Sequence, residues 1–455
     1  MVKQIAALEI SNRYYKLVIG YTLDNKVDIL YKVKRPLSVP FKDGDIFDIG
    51  SLSDDLTKIK NIEATTKNVK MNINVNEVVL VLPPYGLQVY QSIKSTNTVS
   101  VVSKIDRIDI NNALSLIKKE KLPNINDELI DIIPNRFIVD NNEEYLVPPL
   151  NEVSQTITID ANVYTLPKKM VQDLVKACSN AQIKVKREVI APIGVSYLLN
   201  ESKFKAKTYV LVDFSDKTTS LSFVGDNVVF ASNFFSLGFD DLVNKVANEF
   251  HIEKIKAEEL INIYGLDNRQ TSYNPPIAFG KDSLGIDKKF TKEDLLKVIL
   301  EFLKTWVDYF NGSLRNLLAN FSLKNDSVSK IVLAFIGEGT KLNGLKEYIL
   351  KVLPTNPVKF ISIPTICCRE AEYINCLGAI FMASSYRGTL EDENKQQVRQ
   401  INRVDDSLNS VRSTPKKDRY DELKDELWGL DYDGWIRQLW TCCQNCCNWC
   451  RWRRK

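Results

Sequence analysis

Val210–Val224 reads VLVDFSDKTTSLSFV: an apolar run, an acid, a tight Ser-Asp-Lys turn, paired threonines and a second apolar run. Short apolar runs on either side of turn residues predict two antiparallel strands, with the acid closing the first. The same order stands near the amino terminus, where Leu8–Leu17 reads LEISNRYYKL. Acid, apolar residue, Ser, Asn or Asp, then Arg or Lys align in both copies, and Glu9 and Asp213 lie 204 positions apart. Each copy continues into a glycine and an Asp-Asn turn, Gly20 with Asp24-Asn25 and Gly225 with Asp226-Asn227, and then into a third apolar run. Two copies of one strand-turn-strand unit at that spacing predict two related lobes.

The material between the copies fits an α/β chain. EVVLVLPP is a strand, and DIGSLSDDLTKIKNIEATTKNV and GFDDLVNKVANEFHIEKIKAEELINIYG read as helical after the first and second copies. DRIDINNALSLIKKE has a helical period with an entry at Asn111-Asn112, and KIVLAFIGEGTKLNGLKEYI is a buried strand opening through glycines into a helix. Composition supplies the cores: 44% of residues are apolar and 26% charged, over 455 residues.

The formal charge of +4 is local in origin. Arg437, Arg451, Arg453, Arg454 and Lys455 follow Gly434 with no acid among them, and subtracting these five leaves −1 for the rest. A near-neutral body with a basic tail does not suggest a nucleic-acid binder. No apolar run approaches the roughly 20 residues of a membrane span, and MVKQIAALEIS lacks the regions of a signal peptide, so the expected location is cytoplasmic. Of nine cysteines, five crowd into the last segment, unlike a secreted disulfide framework. His251 is the one histidine and sits between Phe250 and Ile252, so neither a multi-histidine metal site nor a Ser-His-Asp mechanism is supported.

Two hairpins, each ending a buried strand on a carboxylate and facing one another across a cleft, suit a nucleoside triphosphate with a divalent cation. Turn amides and nearby cations meet phosphate, and the acids Glu9 and Asp213 hold metal-bound water. A third element, Gly337-Glu338-Gly339-Thr340-Lys341 between strand and helix, brings bare backbone to a ligand. The order of all three along the chain is more specific than any one of them.

In that order, and in DIIPNRFIVD (Asp131–Asp140), NVYTLPKKMVQDLVKACSNAQIKV and EVIAPIGVSYLL, the chain resembles the actin-like ATPase superfamily and, within it, the FtsA family of bacterial division proteins. The resemblance covers about residues 1–386 and the carboxyl tail. It implies a two-lobed, actin-like (ribonuclease H-like) α/β fold: subdomain 1A at 1–82, 166–207 and 366–386, an inserted 1C at 83–165, 2A at 208–238 and 313–365, and 2B at 239–312. A linker at 387–433 and an amphipathic membrane helix at 434–455 would follow. It further implies ATP with Mg²⁺ in the cleft, self-assembly into filaments, and tethering of the tubulin-like FtsZ polymer to the inner membrane face at the division site. Glu9 and Asp213 would be the catalytic and metal-holding acids. Ser11, Asn12, Arg13 and Lys16 of the first hairpin, Ser215, Asp216, Lys217, Thr218, Thr219 and Gly238 of the second region, and Glu258, Gly337, Glu338, Gly339 and Lys341 would line the nucleotide.

The chain departs from the family where glycines are usual. Ser11-Asn12-Arg13 and Ser215-Asp216-Lys217 replace the small residues of the two turns, Ser220 replaces an acid, and Ile261 stands where the ribose motif around Glu258 has lysine. The replacements are parallel, each a hydroxyl, an Asx that tolerates the left-handed region, and a cation. The expectation is that Arg13 and Lys217 supply phosphate contacts from side chains, at about 1.5–3 kcal/mol each. A scaffold with a silent cleft is the alternative, and a small-molecule kinase a further one.

On a helical wheel, GWIRQLWTCCQNCCNWCRWRRK places Trp435, Ile436, Leu439, Trp440, Cys442, Cys443, Cys446, Cys447, Trp449 and Cys450 on one side and Arg437, Gln438, Thr441, Gln444, Asn445, Asn448 and Arg451 on the other. With Arg453, Arg454 and Lys455 at its end, this face suits the headgroup region of an anionic membrane. Cys443 and Cys446, or Cys447 and Cys450, have a zinc-like gap, but cysteines on one helical face do not close a tetrahedron without unwinding it.

Overall fold

Both hairpins open sheets of one plan in the computed structural model. It describes residues 4–385 apart from positions 24–25, 67–68, 100–103, 141–142, 203, 267–273, 282–284, 320, 322–330, 355 and 366–367. The linker and tail helix expected at 387–455 lie outside the described residues.

In the first lobe β1 (Ile5–Ile10) turns back into β2 (Tyr14–Leu23), which pairs with β3 (Lys26–Pro36). After α1 (Ile49–Thr57) and the hairpin β4 (Asn61–Thr66)/β5 (Val69–Asn74), β6 (Glu77–Leu82) returns parallel to β1. The next segment makes its own sheet from β7 (Gln88–Asn97), β8 (Asp127–Val139), β9 (Glu144–Tyr145) and β10 (Thr156–Pro167), covered by α2 (Arg107–Lys118). Then α3 (Lys168–Asn180), β11 (Lys184–Ile190) and α4 (Ala191–Asn200) complete the lobe, with sheet order β11-β6-β1-β2-β3.

The second lobe repeats this. β12 (Thr208–Phe214), β13 (Thr219–Gly225) and β14 (Val228–Phe235) form the antiparallel part. After α5 (Phe239–Phe250), α6 (Lys254–Tyr264), the ribbon β15 (Pro276–Lys281)/β16 (Asp287–Thr291) and α7 (Lys292–Ala319), β17 (Val332–Ile336) lies parallel to β12. α8 (Leu345–Val352) and β18 (Val358–Phe360) give the order β18-β17-β12-β13-β14, and α9 (Ile374–Ser385) returns to the first lobe. Glu9 and Asp213 therefore sit at equivalent places, each near the end of the strand beside a parallel neighbour.

Packing fixes this frame. α4 and α9 cross where a Cβ on Gly378 would stand 2.6 Å from the Gly194 carbonyl carbon, so only two glycines allow the approach. In the second lobe Trp306 of α7 is fully buried, stacks on Phe310 and donates its indole N–H to Thr219 Oγ1 at 2.9 Å.

Three local expectations change. The helix after the first copy stops at Thr57, and the β-branched run beyond it makes the β4/β5 hairpin. α2 starts at Arg107 rather than Asn111-Asn112, because Asp106, its N-cap, forms a reciprocal capping box with Asp109. The stretch after the second copy is two helices, since His251 takes a left-handed φ of 49° and ends α5.

Candidate functional site

The two hairpin acids meet on one amide. Asn375, in the first turn of α9, donates from Nδ2 to Glu9 Oε1 at 3.0 Å and to Asp213 Oδ2 at 2.9 Å. Burial, and then the charge of Glu9, push the Asp213 carboxyl up to about 6. Ser215 Oγ donates to the other Asp213 oxygen at 3.2 Å. Among the described residues no three or more His, Cys, Asp or Glu side chains gather to hold a metal. A carboxylate pair is nonetheless the set that suits Mg²⁺, which keeps most of its water. Asn375 lines a cavity with Glu9, Ser11, Asp213 and Thr218, and its Oδ1 has no partner, so an acceptor is left there for a water or a cation.

The turns meet each other directly. Asp216 Oδ2 accepts from Ser11 Oγ at 2.8 Å and from the backbone N–H of Arg13 at 3.1 Å, linking the lobes. Arg13 pairs with Asp240 and Lys217 with Asp241, at 3.1 Å for the latter, so both cations turn to the first residues of α5. Gly238 precedes that helix, and a Cβ there would stand 2.3 Å from the Asp216 carbonyl oxygen. The backbone N–H groups of Phe239 and Asp240 donate to the carbonyls of Ser215 and Asp216. Thr218 shares a 2.6 Å hydrogen bond with the Tyr85 hydroxyl from the opposite lobe. Thr219 faces away, donating to the Leu237 carbonyl while accepting from Trp306.

A buried ionic cluster joins the third element to the first hairpin. Lys16, cross-strand from Glu9, is 2% exposed; its ammonium donates to the Glu372 carbonyl at 2.9 Å and lies 3.5 Å from Glu9. Burial opposes that charge, but Glu9, Glu338, Asp213 and Asp216 outweigh it and hold the lysine protonated. Lys34 pairs with both Glu338 and Glu372, and Lys341 with Glu372. Burial pushes Glu338 up to about 7 against the pull of Lys16 and Lys34. Burial also acts to raise Glu372, but Lys34 and Lys341 prevail and bring it down to about 2. Gly337 has φ of 91° and Gly339 is pressed on the Phe214 ring, so the third turn needs its glycines for internal packing. Asn12 is buried with both side-chain polar atoms unpartnered, and Glu258 is exposed on α6, close enough to strengthen the charge on Arg13.

The donors and acids therefore have the chemistry for a nucleotide and its cation, but in this closed arrangement they are engaged with one another. The cavity between the hairpins is about 30 Å³, against roughly 300–1,000 Å³ for small-molecule sites. Sequence reasoning passed over Asn375, Tyr85, Lys34, Glu372, Asp240 and Asp241. Only the Asp240-Asp241 pair following Gly238 carried a local signal, as acids in a helix's first turn.

No family model matches the chain. Among curated proteins it is similar to the cell division protein FtsA of Staphylococcus epidermidis, 19% identical over 394 residues, covering 85% of this chain and 80% of the relative. FtsA of Bacillus subtilis is 18% identical over 389 residues, covering 83% and 82%. FtsA of Streptococcus pneumoniae is 24% identical over 260 residues, covering 57% and 55%. Among solved structures, a PilM-PilN type IV pilus biogenesis complex superposes with a TM-score of 0.53 at 16% identity, over 84% of this chain and 98% of that one. The fold is the two-lobed α/β fold of the actin-like ATPases. No helix of the described residues is long and apolar enough to cross a membrane.

Proposed function

We propose that this chain is an actin-fold cell-division protein of the FtsA type, which takes ATP with Mg²⁺ between its hairpins when the lobes part. It assembles with copies of itself and links an FtsZ-like division polymer to the cytoplasmic membrane face through Gly434–Lys455. The observation that carries the reading is the convergence of Glu9 and Asp213, from equivalent strands of two repeated lobes, on the single amide of Asn375. The names of the relatives support the division role, and the subdomain bounds drawn from the sequence belong to the same reading. Glu9 and Asp213 would hold the hydrated cation. Lys16, Lys34, Arg13 and Lys217 would face phosphate once released from their present partners.

Nucleotide titration with thermal unfolding tests the cleft, because a ligand bound only by the folded chain raises the melting temperature as its concentration rises. Protection by ATP with Mg²⁺ that weakens in an R13A/K217A chain supports the reading. Flotation with anionic liposomes tests the tail, where equal recovery with and without residues 434–455 would defeat it. The small cavity and the paired cations favour a second reading, an actin-fold scaffold with a silent cleft. Absence of any nucleotide protection would select it.

A further inference from the structure

The first turn is built as an anion seat, and the chain fills that seat itself. A hydroxyl (Ser11) and a turn amide (Arg13) aim at one oxygen, with the fully buried Lys16 ammonium close by. Such a convergence of donors and positive charge recognises a phosphoryl oxygen. The oxygen present is Asp216 Oδ2. Asp216 is 2% exposed and held from every side: its Oδ1 accepts from the Lys217 N–H at 2.9 Å, its carbonyl accepts from Asp240 N at 2.8 Å, and Gly238 packs beneath that carbonyl.

We infer that the Asp216 carboxylate is an internal stand-in for phosphate, a plug that a nucleoside di- or triphosphate must displace before it occupies the first turn. This rests on the nucleotide reading above and adds to it a residue that sets affinity. A tethered competitor acts at an effective concentration on the order of millimolar. The native chain therefore binds nucleotide more weakly than the seat itself would. The carboxylate also repels an incoming phosphate, so neutralising Asp216 and shortening it both strengthen binding.

The test is calorimetric titration of the full chain with ATP and Mg²⁺, and separately with pyrophosphate, for the native chain, D216N and D216A. At least tenfold tighter binding by both variants than by the native chain is the expected result. Native binding equal to or tighter than that of the variants overturns the plug and leaves the nucleotide reading in place. No binding by native or variant chains overturns the nucleotide reading and the plug with it. Should neither variant fold, hydrogen exchange of the native chain decides. A Lys217 amide, which holds the other Asp216 oxygen, protected in the native chain and exchanging faster once pyrophosphate is added, while the Arg13 amide stays protected, supports the plug. An Arg13 amide that exchanges freely without ligand, or a Lys217 amide unchanged at saturating pyrophosphate, overturns it.

Discussion

Asp213 shows how a single buried carboxyl couples the cleft to pH. Its folded value of about 6 lies above the ordinary 3.8, so the folded chain holds this proton more tightly than the unfolded one. The stabilisation from that site is complete below about pH 4 and is lost as pH rises through 6. D213N removes the charge while keeping an acceptor for Asn375. It should raise stability at pH 7 by about 1–3 kcal/mol and leave it unchanged at pH 4, as read from urea unfolding at both values. N375A should have the opposite sign, since it leaves Glu9 and Asp213 facing one another without their shared donor. A loss of about 2–3 kcal/mol at pH 7, shrinking at pH 5 where Asp213 is largely protonated, is the expected outcome. The position of both acids was legible in the repeat, because an acid at the end of an apolar strand is a local pattern. Asn375 was not, since it lies 366 positions from Glu9 and a lone asparagine opening a helix has no distinctive pattern.

Two helical glycines separate packing from propensity. Gly378 lies where α9 crosses α4 and has no room for a methyl group, so G378A should force the helices apart and cost about 1–3 kcal/mol. Gly312 in α7 has nothing within 4 Å of an added Cβ. There, G312A should stabilise the chain by about 0.5–1 kcal/mol through helix propensity alone. Thermal unfolding of the two variants should thus move in opposite directions, and a shared direction would contradict the crossing. At this scale the sequence was a good guide to the strands of the two hairpin units, but a poorer one to helix ends and to the long strands β7, β8 and β10 of the inserted sheet. Apolar runs mark strands directly, whereas the start of α2 hangs on the reciprocal bonds of Asp106 and Asp109, and the break after α5 on the backbone of His251.

The lobes close on a lysine. Lys16 from the first lobe is buried among Glu9 of its own sheet and Asp213, Asp216 and Glu338 of the second-lobe elements, so its charge offsets carboxylates from both sides. Removing it leaves those charges uncompensated in a place with little water. K16M should cost about 3–5 kcal/mol at pH 7 and expand the molecule in small-angle scattering, with recovery as the pH falls and Glu338 and Asp213 take up protons. By itself, the amino-acid sequence determined that there are two lobes opening on one repeated unit, which residues form their hairpins and where the acids fall, because strand periodicity and turn chemistry act between near neighbours. What those hairpins touch was decided only by the tertiary structure. Arg13 and Lys217 do converge, but on Asp240 and Asp241, and the first turn closes on Asp216. A charged side chain takes whichever partner the closed fold brings within reach, and nothing in a linear pattern distinguishes a phosphate from a carboxylate folded in from the other lobe.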